Sequence, residues 1–155
     1  MSGLEDSTRP TEWTGGGAPQ IHVLAARAVR LSTPELVNLI DAFDRQWNPL
    51  VILFESNAAF LGLRDLLVRN TRFGPKLKGV TQTVDKWARI ATLSVPVENG
   101  AFRLKGNEAG DGPDESQREL WEEMAGFPYA DTDDLADAAA TGCAYLLTRR
   151  EPRIW

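Results

Sequence analysis

Hydrophobic and polar positions alternate with different periods along this chain, and the changes of period mark its elements. Residues 1 to about 19 hold Gly15-Gly16-Gly17 and Pro10 among few aliphatics, a composition expected of a flexible leader. Ile21 to Leu31 mixes apolar and basic residues over the length of a strand, although its alanines leave a helix open. Ser32-Thr33-Pro34-Glu35 predicts a helix start: a hydroxyl for the first unpaired N–H groups, a proline where no N–H is needed, and an acid at the positive end. Leu36, Val37, Leu39, Ile40 and Phe43 follow the 3.6-residue period, so the helix should run to about Trp47, with Asn48-Pro49 ending it. Leu50 to Phe54 is a continuous apolar run, the pattern of a strand buried on both faces. A second helix is expected over Ala59 to Val68, a strand over Lys76 to Thr83, and a third helix over Val84 to Val95 leading to Pro96. After the turn Glu98-Asn99-Gly100, Ala101 to Lys105 reads as a short strand with Phe102 and Leu104 on one face. The glycine-rich acidic loop Gly106 to Pro113, a helix from Ser116 to Met124 and an extended break at Phe127-Pro128-Tyr129 follow. The last helix opens at Asp131-Thr132-Asp133-Asp134 and runs to about Leu147, alanine-rich enough to pack closely on a sheet. Strands alternating with helices, without an internal repeat, predict an α/β layer structure with helices on both faces.

Composition narrows this picture. The 155 residues amount to about one domain, and 43% hydrophobic with 25% charged residues is ordinary globular usage. No apolar run approaches the roughly 18 residues that span a bilayer. The first 20 residues are acidic and polar where a signal peptide would be basic and then apolar. Cys143 is the single cysteine, which argues against a disulfide scaffold or a cysteine zinc site. The net charge of -5 speaks against a general nucleic-acid coat, but the charge is uneven. Between Gly62 and Lys105 there are nine bases and three acids, a local +6; between Asn107 and Asp137 there are eleven acids and one base, a local -10. An enzyme that holds a polyanion on one surface and cations at another has this asymmetry, and so do ordinary solvated helix faces.

Two places could carry chemistry. Glu55 ends the most apolar strand, with Ser56 and Asn57 beside it, where open α/β sheets form ligand crevices; the same acid would also simply mark the strand's exit into water. Asp131, Asp133, Asp134 and Asp137 gather at the start of the last helix, more acids than a cap and the helix dipole require. Asp134 and Asp137 share a helix face, with Asp133 adjacent. If that face looks toward Glu55, the carboxylates converge, and converging acids need a cation. Hard oxygen donors select magnesium or manganese. Two such ions about 4 Å apart would activate a water and stabilise the leaving oxygen of a phosphodiester, while the basic segment held the DNA phosphates.

The strings VILFESNAA (51–59), Gly74 to Arg89 with DKWAR (85–89), VPVENGAFRLKG (95–106) and ELWEEMAGFP (119–128) leading to DDLADA (133–138) resemble the carboxy-terminal nuclease domain of tailed-phage terminase large subunits. The resemblance covers about residues 21 to 148 and rests on the order and spacing of the pieces. It implies an RNase H-like mixed sheet flanked by helices over residues 20–150, with residues 1–19 as leader and 151–155 as tail. It also implies a metal-dependent endonuclease that cuts concatemeric double-stranded DNA during genome packaging. Glu55 would match the second catalytic acid; Asp133, Asp134 and Asp137 would match the last acidic cluster, and with Glu55 they are the candidate ligands of magnesium or manganese, which of the three aspartates ligates directly being open. Lys86 and Arg89 would match a basic pair near the DNA backbone, with Lys76 and Lys78 as further DNA contacts; a solvated helix face is the competing account. Partners implied are double-stranded DNA, the terminase ATPase domain, the small subunit and the portal, in the host cytoplasm and away from membranes.

The sequence departs from the family in ways that shape the expectation. The first catalytic aspartate belongs on an apolar first strand, and nothing before Ile21 resembles one; Asp6 is the nearest candidate. Thr132 stands where many relatives carry histidine, and His22, the lone histidine, is far away and reads as structural. No GxxxxGKS or GxxxxGKT loop is present, so the ATPase half is missing from this sequence. These departures predict a fold incomplete at its amino end, from a detached or split-gene piece that is weakly active alone or completed by a partner chain. The alternative is a non-catalytic DNA-binding or motor-docking module on the same fold. A third reading is an RNase H-type nuclease unrelated to packaging, such as a resolvase. Trp13, Trp47, Trp87, Trp121 and Trp155 read as packing residues and Cys143 as a small apolar filler.

Overall fold

The computed structural model describes residues 20–148; the leader, the tail, Asp6, Trp13 and Trp155 lie outside them. The chain divides into two compact units, residues 29–85 forming one and the segments before and after them the other. Both are mixed α/β, and each has one two-stranded parallel sheet.

In the unit of residues 29–85, helix α1 (Thr33–Trp47) starts as its sequence requires. The Ser32 hydroxyl accepts the Glu35 N–H at 3.4 Å, and Glu35 accepts the Ser32 N–H at 2.9 Å, a reciprocal cap with Pro34 in the first turn. Asn48 closes the helix in the left-handed region at φ 45°, donating its N–H to Asp44 O at 2.8 Å. Strand β2 (Ile52–Glu55), helix α2 (Ala58–Asn70) and strand β3 (Leu77–Val80) then form a strand–helix–strand unit, with β2 parallel to β3 and Glu55 in register with Val80. Parallel pairing needs such a crossover. The Asn57 side chain caps α2 by accepting the Phe60 N–H at 2.9 Å. Gly74, in the short 3₁₀ turn before β3, lies so close to the Leu67 carbonyl and the Val68 backbone that a β-carbon would collide with them. That approach lets Phe73 bury completely. One expectation fails here: β2 is half-buried rather than covered on both faces, and Leu50 is exposed outside it. Among the described residues β2 pairs with β3 alone, so an apolar run that suits a central strand lies in a two-stranded sheet.

In the other unit, strand β1 (Ile21–His22) pairs parallel with β4 (Phe102–Arg103) and the strand expected to reach Leu31 stops after two residues. Past it, the chain is held by Gln117, fully buried, whose amide donates to Val23 O at 2.5 Å while its carbonyl accepts the Lys105 N–H at 2.7 Å. The helix expected over Val84 to Val95 is two: α3 (Lys86–Ala91) and α4 (Ser94–Glu98). The Thr92 N–H is shared between Ala88 O and Arg89 O and the Leu93 N–H bonds back three residues to Ile90 O, which breaks the ladder, and Pro96 falls in the first turn of α4, where its missing N–H costs nothing. A 3₁₀ turn (Glu115–Gln117) leads into α5 (Arg118–Gly126), and α6 (Asp134–Thr148) closes the described chain. Ala136, Ala140 and Cys143 line the buried side of α6. Their small size lets α6 pack on α3 and α5 while Ala140 and Cys143 also reach the cluster of Leu93 and Phe102, so the alanine face serves helix as well as sheet contact. Burial pushes the Cys143 thiol up, as a small apolar filler requires. Trp47, Trp87 and Trp121, expected as packing residues, keep 40–60% of their surface exposed. No described helix is long and apolar enough to cross a membrane.

Candidate functional site

The start of α6 is built by an acid that the sequence reading passed over. Glu123 of α5 is buried, and its carboxylate accepts the Ala136 N–H at 2.9 Å and the Thr132 hydroxyl at 2.8 Å. It thus caps the third residue of α6 from outside, while the Asp137 N–H closes the first helical bond to Asp133 O at 2.9 Å. With the helix start fixed, Asp133, Asp134 and Asp137 are presented together. Opposite them stand Lys86 and Arg89, three residues apart on α3 and therefore on one face. Lys86 Nζ lies 2.8 Å from Asp133 Oδ1 and 2.7 Å from Asp134 Oδ1. Arg89 grips Asp137 with two parallel bonds, Nε to Oδ1 at 2.9 Å and Nη2 to Oδ2 at 2.8 Å. The Arg89–Asp137 pair is mostly buried, at 17% and 16% exposure, whereas Asp134 is 84% exposed. The Lys86 ammonium is held protonated above the usual lysine range, first by Asp133 and then by Asp134.

The expected residues therefore fall into two sets. Asp133, Asp134, Asp137, Lys86 and Arg89 form one constellation, with acids and bases in direct contact. Glu55, Lys76 and Lys78 belong to the other unit. Glu55 is exposed at the carboxyl end of β2, where the Ser56 N–H continues the ladder to Val80 O at 2.9 Å. Lys78 lies on β3 in register with Leu53, and Lys76 bonds Asp44 at 2.5 Å and Asn48 at 2.9 Å. Asp131 is exposed in the loop before α6. The His22 side chain is exposed, 3.3 Å from Gln20 Oε1, while its backbone sits in β1 in register with Arg103.

Carboxylate oxygens are hard donors that suit magnesium or manganese, and the Asp133 and Asp134 oxygens already converge on a cation, the Lys86 ammonium. Among the described residues no group of three or more His, Cys, Asp or Glu side chains is gathered in metal-binding geometry.

The signal for Glu123 was present: it falls three residues after Leu120 on the apolar face of its helix, where a charge needs a partner. Asp44 gives the same signal, seven residues after Val37 and four after Ile40. Comparison of the chain with protein-family models, with curated proteins and with solved structures finds no match.

Proposed function

We propose that this chain is the metal-dependent endonuclease domain of a tailed-phage terminase large subunit, an RNase H-like domain acting on double-stranded DNA beside an ATPase domain or a separate upstream chain. The observation that carries the reading is the constellation at the start of α6, where three aspartates meet a lysine and an arginine on the residues the family motifs select. Asp133 and Asp134 would hold magnesium or manganese, with Asp137 one turn on; Glu55 on β2 is proposed separately as a further catalytic acid. A bound ion would supply activation of water and stabilisation of the departing oxygen. Lys86, which pairs with both aspartates, would be the cation placed to meet a DNA phosphate there. Arg89 stays on Asp137 and fixes the spacing between α3 and α6.

The ion pairs favour a second reading as well. Lys86 and Arg89 already neutralise the acids, as they would in a DNA-binding or motor-docking module that does no chemistry. Incubation of the full chain with supercoiled plasmid and manganese or magnesium separates the two. The nuclease reading expects metal-dependent nicking that is lost in Glu55→Ala and in Asp134→Ala with folding retained. A folded chain that binds neither metal nor nicks DNA would leave the module.

A further inference from the structure

The unit of residues 29–85 carries a polar pocket of about 700 Å³ lined by Asp44, Arg45, Asn48, Arg72 and Lys76. Its wall is one face of α1, because Asp41, Asp44, Arg45 and Asn48 recur at helical spacing, and Arg72 and Lys76 come from the turn leading into β3. Asp44, 4% exposed, is the floor. Lys76 Nζ sits 2.5 Å from its Oδ1 and 2.9 Å from Asn48 Oδ1, and Arg72 Nη2 lies 3.4 Å from its Oδ2. Asp41 holds Arg45 through Nε at 2.8 Å and Arg72 through Nη2 at 3.8 Å.

Three cations thus share two carboxylates. The carboxyl end of α1 adds about half a negative charge, which attracts cations there but does not cancel the excess. Arg45 spends its Nε on Asp41 and Arg72 its Nη2 on Asp41 and Asp44, and each retains further N–H donors of a guanidinium, the group best shaped to grip a phosphate. Arg45 and Arg72 are 64% and 53% exposed, so those donors are reachable from solvent. Lys76, at 25%, is the anchored member. The charge distribution agrees: the acidic stretch from Asn107 to Asp137 lies wholly in the other unit, which makes this one the better surface for a polyanion.

We infer that the Arg45–Arg72–Lys76 pocket binds a backbone phosphate of DNA, with Arg45 and Arg72 as the contacting groups and Asp44 and Lys76 as the frame that positions them. The inference rests on the DNA reading above for the identity of the polyanion, and it adds a contact remote in sequence from the α3–α6 constellation.

The test is metal-free binding of the full chain to a labelled duplex of about 20 base pairs, followed by fluorescence anisotropy over a salt series in a chelator. The double variant Arg45→Gln/Arg72→Gln should lose about ten-fold in affinity, and its log–log salt slope should fall by about one, the loss of one phosphate contact. A second double variant, Arg64→Gln/Arg69→Gln, removes the same charge from α2 and should change affinity less than three-fold, about half the loss on a logarithmic scale. Unchanged thermal melting of both variants confirms that the exposed arginines were not holding the fold. Equal losses in the two variants, or parental affinity in the first, would overturn the inference while leaving metal-dependent nicking untouched. Calorimetric titration with inorganic phosphate distinguishes the source: phosphate binding that the first variant abolishes, with its DNA affinity unaltered, assigns the pocket to free phosphate and overturns the DNA assignment. A parent chain without measurable DNA affinity overturns this inference and the DNA reading together; DNA binding without nicking removes only the nuclease reading.

Discussion

Two buried acids, Asp44 and Glu123, do the local organising at opposite ends of helices. The Asp44 carboxyl is held below the usual carboxylate range, chiefly by the hydrogen bond from Lys76 and with Coulombic help from Lys76 and Arg72 against the opposing effect of desolvation. The folded state therefore binds this proton less readily than the unfolded chain. Its contribution to stability is complete above the ordinary carboxylate pKa of about 4 and is lost as the pH falls through the lower folded value. Thermal melting should accordingly decline on acidification below about pH 4 more steeply in the parent than in Asp44→Asn, which has no such proton to take up. Parallel curves would mean that Asp44 contributes nothing to acid sensitivity. Glu123 gives a different expectation, because its loss strands the Ala136 N–H and the Thr132 hydroxyl. Glu123→Ala should cost about 2 kcal/mol in denaturant unfolding, and Glu123→Gln, which keeps one acceptor oxygen, clearly less. Neither residue stood out by type. Both were legible only as charges on the apolar face of a helix, and finding their partners required the fold, since Lys76 and Thr132 come from outside those helices.

At the scale of elements, what could be read was what local chemistry decides. α1 begins and ends where Ser32, Pro34, Glu35 and Asn48 put it, since caps act within a few residues. Ser32→Ala should therefore lower stability by about 1 kcal/mol without altering the fold, measured by urea denaturation; no change would mean that the reciprocal bonds with Glu35 are not kept in solution. β2 lies within two residues of its expected bounds and β3 ends three residues early, while their coverage was not legible, because burial depends on neighbours that a strand's own sequence does not specify. The division between α3 and α4 was hidden by a continuous helical pattern and by Pro96, which reads as a stop but serves in a first turn. β1 extends less far than the sequence suggests: the Val23 N–H still donates to Arg103 O at 3.0 Å, but its carbonyl accepts from Gln117, and the alanines and bases that follow offer β4 little to pack against. The close approach at Gly74 is a further element-scale feature: Gly74→Ala must push the 3₁₀ turn away from α2 and unseat Phe73, for an expected loss of about 2 kcal/mol by the same denaturation measurement.

Across the whole molecule, burial is shared unequally between the two units. Of the buried apolar side chains, only Leu67 and Phe73 belong to residues 29–85, whereas Ile90, Leu93, Ala101, Phe102, Leu120, Ala136, Ala140 and Cys143 belong to the other unit. The smaller unit also exposes Leu36, Leu50, Leu61 and Leu66. Local opening follows the apolar contacts that must be broken, so a segment with few of them opens at lower free energy than one with many. Native-state hydrogen exchange of the full chain should show the amides of α2, β2 and β3 exchanging through openings well below the global unfolding free energy, while α5 and α6 exchange only near it.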